Sequence, residues 1–436
     1  MSAHYHALRQ LKKNDTFKSG DVLVLFGELF NRGYANGLVE EAERRGMTIV
    51  RSTVGRREKD GVLRPLTAEE AAGIPQPFIN IPLEAGFDLE PSNKGISPVD
   101  QLKDVRLSDW ESFQLDRESA LQSQKNGQNR FRNQIKNYLA ELEKLIPAGA
   151  NVLFAHLMAG GVPRTKIVMP LMNRAFKGTG DRWLPSEKFW NSEIGQLCSL
   201  SFNEVTANTF DFLIQESTAL REKLQARGSK VAYLAYGYHG TEVLIDNNYT
   251  WQTYSPYIQG WAKMLLENYA QSWSKKGVTC TVYNCPEILT NSSSIFQGVE
   301  VSLYPLVGAL KKESGNSHKS LDTLGRCQHV LKPEYTLEEV SAFTSNYLKN
   351  SLIREHCDFQ KWPQHSSQKQ MELMLESSDH LISMHKDNKV LLTHILSEVV
   401  FAGCGKVMLN DIAHPESPVS WINHDILAKV HSERAQ

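Results

Sequence analysis

Tyr257 and Lys263 lie six positions apart in SPYIQGWAKMLLENYAQSWSKKG, a stretch patterned as a helix. A phenol with an unperturbed pKa of about 10 stays protonated at neutral pH and can donate to an oxygen that is gaining negative charge. A nearby ammonium favours the phenolate that remains if the proton moves. Ser255 suits the N-cap, Pro256 the first helical position and Gly277 the residue beyond the last turn. Ile258, Trp261, Ala262, Leu265, Leu266 and Tyr269 then give one apolar face at helical spacing. Six positions amount to about 240° of rotation and about 9 Å of rise. The two side chains therefore do not share a face, but they can converge on a third body lying across the helix start. A further tyrosine, Tyr238, follows the strand-like KVAYLAY at 230–236. The bland alternative is ordinary packing, since many tyrosines are half-buried and most lysines are solvated.

Three glycines, Gly27, Gly33 and Gly37, link the apolar run DVLVLF (21–26) to an amphipathic pattern from about Tyr34 to Arg45, closed by Gly46. A loop of this kind brings backbone N–H groups against a pyrophosphate at the helix N-terminus. Its spacing is wider than the six-residue GxGxxG fingerprint, and glycines after a strand also serve as plain turn residues. The next strand, MTIVRSTV (47–54), ends in Arg51, Ser52 and Thr53, without the carboxylate that grips an adenosine ribose. Gly55, Arg56 and Arg57 follow, and Arg32 stands directly before Gly33. Guanidinium groups suit a 2′-phosphate through bidentate bonds, so the expected cofactor is NADPH in preference to NADH. Solvated surface arginines are the competing explanation.

These residues need a frame. FINI (78–81), NVLFAH (151–156), KVAYLAY and VTCTVYN (278–284) read as further strands. Helices are expected at FRNQIKNYLAELEKLI and, as one long piece, over SLSFNEVTANTFDFLIQESTALREKLQARG. Such alternation predicts an α/β fold: a doubly wound, Rossmann-like parallel sheet with helical insertions and extension. The expected catalytic domain covers 18–330, with a polar, irregular insertion near 84–135. A mainly helical extension covers 331–436, either as a separate lobe or as an excursion that returns a last strand at KVMLND (406–411).

The 436 residues carry a net charge of -1, which gives no reason to expect a nucleic-acid partner. Six scattered cysteines (198, 280, 285, 327, 357 and 404) read as reduced thiols of a cytoplasmic protein. The opening MSAHYHALRQLKKND lacks the apolar core of a secretion signal, and no uninterrupted apolar run approaches a bilayer span. A soluble protein with no membrane partner is expected. Fourteen histidines include no HExxH or H-x3-H pattern backed by carboxylates, so no metal is expected. His156 and His239 read as pocket-wall residues rather than catalytic ones. No serine nucleophile elbow, P-loop or paired-carboxylate pattern is visible.

Taken in order, four segments resemble the enoyl-acyl-carrier-protein reductases, divergent members of the short-chain dehydrogenase superfamily. Tyr257-Ile-Gln-Gly-Trp-Ala-Lys263, with five residues between the tyrosine and the lysine, resembles their Y-x6-K pattern at one residue less. Tyr236-Gly-Tyr238-His-Gly-Thr-Glu242 is similar to their stretch with a second active-site tyrosine, placing it at Tyr238. Gly27-ELFNR-Gly33-Tyr34-Ala35 matches their first loop, with Gly33 where a serine is common. Cys285-Pro286-Glu287-Ile288-Leu289-Thr290 resembles their proline-to-threonine segment beside the nicotinamide. The resemblance covers roughly residues 18–60 and 150–295. The interval from Tyr238 to Tyr257 is about twice the usual one because DNNYTWQTYS is inserted, which leaves Tyr254 as an alternative to Tyr257. The chain is also longer than usual members, near 84–135 and beyond 295.

By this resemblance, Tyr257 donates to the thioester oxygen as hydride reaches the β-carbon, Lys263 holds the nicotinamide ribose, and Tyr238 lines the substrate pocket. Gly27, Arg32, Gly33, Tyr34, Ala35, Arg56, Arg57, Pro286 and Thr290 would hold the cofactor. The implied partners are an acyl thioester, on coenzyme A or acyl carrier protein, and further copies of the chain in a homodimer or homotetramer. Two other functions stay open: a ketoreductase of a polyketide or lipid pathway, and a non-catalytic NADP(H)-binding scaffold.

Overall fold

Eight strands form one all-parallel sheet in the computed structural model, which describes residues 5–13, 16–59, 61–252, 259–290, 298–314, 317–355 and 366–433. In chain order they are β1 (Ala7–Leu8), β2 (Val22–Phe26), β3 (Thr48–Thr53), β4 (Phe78–Pro82), β5 (Val152–His156), β6 (Val231–Gly237), β7 (Cys280–Asn284) and β8 (Val419–Ile422). Across the sheet they run β1-β8-β7-β6-β5-β2-β3-β4. β2, β5, β7 and β8 are buried at every residue, as a parallel sheet covered on both faces requires. The expected doubly wound α/β fold is therefore present. From β2 the chain winds outward through β3 to β4, then crosses to β5 and winds the other way. Loops leaving β2 and β5 diverge at that reversal, and a crevice opens beyond their carboxyl ends.

Four helices frame that crevice or brace the sheet behind it: α1 (Ala35–Arg44), α2 (Arg117–Leu145), α3 (Gly260–Ser274) and α4 (Leu392–Asp411). α2 starts well before its apolar pattern does. Asp116 caps it by accepting from the Ser119 amide at 3.1 Å, and Ala120, Ser123 and Gly127 carry its buried face toward Phe131. Small residues hide a helical period, which explains why 117–130 reads as irregular in the sequence.

The long helix expected over 199–228 is broken. It consists of Glu193–Phe202, a π turn at Asn203–Asn208, then Thr209–Glu216 and Thr218–Gln225. The hydroxyls of Thr209 and Ser217 donate back to the carbonyls of Val205 (2.8 Å) and Leu213 (2.6 Å), a pattern that bends helices. The inserted DNNYTWQ forms an antiparallel hairpin, Thr241–Ile245 with Asn248–Gln252, turning on Asp246 and Asn247 at φ 46 and 64.

KVMLND is not a strand. It is the end of α4, and the strand that returns to the sheet is β8, inserted between β1 and β7. An apolar run of this length does not distinguish a strand from a buried helix. α4 is long and apolar enough to cross a membrane by length and composition, yet most of it is buried inside the fold. It packs against α1 on one side and the helix His424–Ser432 on another.

Gly37 and Gly405 set that packing. A Cβ on Gly37 would stand 1.8 Å from the Phe401 carbonyl oxygen, and one on Gly405 would stand 2.1 Å from the Gly37 carbonyl. Gly37 therefore belongs to helix contact rather than to the loop. Replacing Gly37 with Ala forces α1 off α4 and is expected to cost about 1–3 kcal/mol; urea unfolding of the variant beside the unmodified chain measures it.

Candidate active site

A cleft of about 270 Å³ occupies the crevice at the sheet reversal. Its walls come from the loop after β2 (Glu28 to Ala35), the turn after β5 (Leu157, Ala159, Gly160, Val162), the end of β6 (Tyr236, Gly237, Tyr238) and the segment after β7 (Glu287, Thr290). Gln259 and Lys263 close it from the start of α3, and Met172 from the helix Val168–Lys177. A larger open groove of about 1040 Å³ lies elsewhere, along α1, α4 and the N-terminal segment. It contains neither Lys263 nor the tyrosines, and several of its basic residues are already paired with carboxylates.

The first loop leaves β2 through Gly27 at φ +119, a conformation that L side chains rarely adopt. A Cβ there would also press on Leu157 and Met158 at 3.2 and 3.1 Å. Ser52 pins the turn, accepting from the Gly27 amide at 3.1 Å and donating to the Leu25 carbonyl at 2.6 Å. Gly33 differs. A Cβ there meets nothing within 4 Å, so no packing inside the chain demands a glycine, and its bare backbone faces the cleft. Asn36 holds the loop by donating to the carbonyls of Phe30 and Gly33, both at 3.0 Å. The first-turn amides of Asn36 and Gly37 bond back to the Gly33 and Tyr34 carbonyls, both at 3.2 Å, so what the start of α1 offers a pyrophosphate is its dipole and the bare backbone at Gly33.

Tyr34 ties this loop to the segment after β7. Its hydroxyl donates to the Pro286 carbonyl at 2.6 Å, and its ring stacks on Tyr236 at 5.9 Å between centroids. Lys263 reaches the cleft from the buried face of α3, donating from Nζ to the Tyr236 carbonyl at 2.6 Å. Burial pushes its ammonium down to about 8, with Cys285 and Glu267 pulling the other way. Tyr238 stands at the cleft wall, nearly buried.

Behind Lys263, one turn along α3, the buried Glu267 accepts from Asn284 Nδ2 at 2.8 Å and lies 3.2 Å from His239 Nδ1. His156 belongs to the core: its Nε2 pairs with the Thr209 hydroxyl at 2.8 Å and its ring stacks on Phe26. Burial, helped by the charge on Lys263, drives it down to about 3, so it stays neutral.

Arg32, Gly33, Tyr34, Ala35, Tyr238, Lys263 and Thr290 thus line one cleft, with Gly27 and Pro286 shaping its edges. Arg56 and Arg57 do not line it. Arg56 donates to both oxygens of Glu28 at 3.1 Å, and Arg57 is held by Glu84 at 2.7 Å and Glu90 at 2.9 Å. Against the burial that raises it, Arg56 and the Thr53 hydroxyl keep Glu28 below its usual range. Tyr254, Ser255, Pro256, Tyr257 and Ile258 lie outside the described residues, where α3 is seen from Gly260 onward. Trp261, expected on the buried face, is 48% exposed. Lys263 and Glu267 take that face, together with Ala262, Leu266 and Ala270. The sequence reasoning missed Glu28, Glu267, Asn284 and Glu287. The i, i+4 spacing of Lys263 and Glu267 was the available signal for one of them.

Comparison with known proteins agrees with this geometry. The family model for FabMG, an enoyl-acyl carrier protein reductase, matches residues 4–431. An apo structure of FabMG, described as a novel type of enoyl-acyl carrier protein reductase, is 44% identical, with 98% of each chain covered and a TM-score of 0.94. A NADH-bound FabMG structure is 38% identical over 98% of each chain, with a TM-score of 0.79. No curated protein matches. A family model that runs nearly end to end, over a chain that also superposes on a member at this identity, places the protein in the FabMG family of enoyl-acyl carrier protein reductases.

Proposed function

We propose that this oxidoreductase reduces trans-2-enoyl thioesters on acyl carrier protein, using NADH held across the cleft. The observation that carries the reading is the convergence, at the sheet reversal, of the glycine loop and α1 N-terminus with Tyr238 and Lys263. When bound, the nicotinamide supplies a hydride to the β-carbon of the enoyl group. The chain supplies the rest. The first loop, turned by Gly27 and left bare at Gly33, and the positive end of the α1 dipole take the pyrophosphate, and Lys263 holds the nicotinamide ribose. Tyr257 donates to the thioester oxygen where charge develops. Tyr238 and the apolar Leu157, Val162 and Met172 line the acyl side.

The choice of NADH rests on charge. Arg56 and Arg57 are each engaged by carboxylates, so little positive charge at the end of β3 is left over for a 2′-phosphate. The NADH-bound FabMG structure supports the same choice. Arg32 remains on the cleft wall as the one guanidinium of that set still placed to favour NADPH.

Oxidation of NADH at 340 nm with crotonyl and longer enoyl thioesters of acyl carrier protein is the first test. Turnover is expected, and its absence across the panel sinks the reading. NADPH is expected to be the poorer cofactor by at least about tenfold in kcat/KM, the value of roughly one lost charge contact. Equal use of both would reject the charge argument.

Tyr257→Phe removes the proton donor and is expected to lower kcat by about 100-fold or more while NADH binding changes little. Unchanged turnover would take Tyr257 out of the mechanism.

Lys263 sets a pH limit. Its ammonium is present below about pH 8 and lost above, so kcat/KM should fall as pH rises through that value. Lys263→Met should lower kcat/KM and abolish that limb of the profile; a limb that survives belongs to another group.

A further inference from the structure

The wall of the cleft at Val162 and Met172 continues outward into a surface rich in one sign of charge. Between Leu157 and Gly180 the chain carries Arg164, Lys166, Arg174 and Lys177 and no acid; Asp181 is the first, followed at once by Arg182. Arg164 is held inside the fold by Asp88 and Glu84. Lys166, Arg174 and Arg182 have no carboxylate partner among the described residues.

The helix Val168–Lys177 turns Val168, Leu171, Met172, Ala175 and Phe176 inward, which leaves Arg174 and Lys177 on its other side. Lys166 is exposed just before the helix starts, four residues beyond Val162 on the cleft wall. The turn after the helix folds back on it, the Leu184 amide donating to the Arg174 carbonyl at 3.2 Å. A Cβ on Gly178 would meet the Arg174 and Arg182 carbonyls at 2.4 and 2.5 Å. That glycine lets Arg182 come up beside Arg174, so two elements contribute cations to one face.

Like charges gathered on one face repel one another, and their use is to attract an anionic partner and steer its approach. From Lys166 to Lys177 the helix covers about 16 Å, the scale of a protein face rather than of one phosphate. The substrate fits that scale. A carrier protein presents its thioester at the end of a pantetheine arm joined through a phosphodiester, so an anion stands where the arm leaves the protein.

We propose that the outer face of helix Val168–Lys177, with Lys166 before it and Arg182 beside it, is where an acidic acyl carrier protein docks, sending its arm into the cleft past Val162. This rests on the proposed reduction of carrier-bound enoyl thioesters and adds where the protein body of that substrate sits.

The test follows NADH oxidation with crotonyl thioesters of acyl carrier protein, of coenzyme A and of N-acetylcysteamine, the last uncharged. Lys166→Glu, Arg174→Glu and Arg182→Glu together are expected to lower kcat/KM for the carrier-protein substrate about 30-fold or more. The N-acetylcysteamine substrate should stay within about twofold and the coenzyme A substrate within about threefold. Lys13→Glu, Lys18→Glu and Lys319→Glu reverse three exposed cations of the groove along α1 and α4 and control for net charge. That control should change all three substrates by less than about threefold. Equal losses from the two triple variants, or no loss from the first, overturn the proposal. A loss of the same size with either small thioester overturns it too. Should the first triple variant fail to fold, Lys166→Gln, Arg174→Gln and Arg182→Gln remove the charge without reversing it. They are expected to lower kcat/KM about tenfold for the carrier-protein substrate alone, and an unchanged value overturns the proposal. Turnover of the two small thioesters without the carrier-protein one overturns the docking by itself. If the unmodified chain turns over none of the three, the reductase reading falls first, and this surface with it.

Discussion

Helix Ala35–Arg44 can sit where it does because Gly37 and Gly405 let its backbone touch that of Leu392–Asp411. Any side chain at either position would push the two helices apart, and the first turn of α1 forms one wall of the cleft. The cleft is therefore seated by a helix drawn from the far end of the chain. The same downstream region returns β8 to the sheet between β1 and β7 and supplies Ser397 to hold the segment after β7. The C-terminal quarter of the chain is thus part of the frame of the site rather than an appendage to it.

Charge inside that frame is arranged with little surplus. Arg56 and Arg57, which by type and place suggest a phosphate, are consumed by Glu28, Glu84 and Glu90. Lys263 is buried with Glu267 one turn away, and Glu267 is in turn tied to Asn284 and His239. Each carboxylate lowers the cost of burying its cation, and the residual desolvation shows as a lysine that titrates near neutrality. Glu287 is the exception: no cation is paired with it among the described residues, and burial raises its carboxyl well above the usual range. One cleft thereby holds a buried lysine and a buried acid whose proton is held more tightly than usual.

The wall of the cleft at Met172 is built by pieces that the sheet does not need. Helices Val168–Lys177, Ser186–Asn191 and Glu193–Phe202 enclose an apolar cluster of their own. The π turn after them bonds through Thr206 to both the amide and the carbonyl of Gly160, at 3.2 and 3.0 Å. That fixes the turn after β5 on the cleft wall. A π turn shifts the helix register locally, and such turns recur at functional sites because they re-aim a side chain without ending the helix.

The sheet, the first loop and the order of the four matching segments could all be read from the amino acids alone. Strands buried on both faces are continuous apolar runs, and the residue at positive φ after β2 must be a glycine, so both are written locally. α2 before Phe131 and the break at Asn203–Asn208 were not legible, because small residues and hydroxyl back-bonding leave no apolar period. KVMLND was misread for the opposite reason: a helix covered on every side looks like any apolar run. What the arginines do is settled only in three dimensions. Whether a guanidinium is free for a phosphate depends on carboxylates 27 to 33 positions away in the chain, and no local pattern records that pairing. Glu287 is the same case in reverse. Its type and position are plain in the sequence, but the rise in its pKa comes from the walls that the fold builds around it.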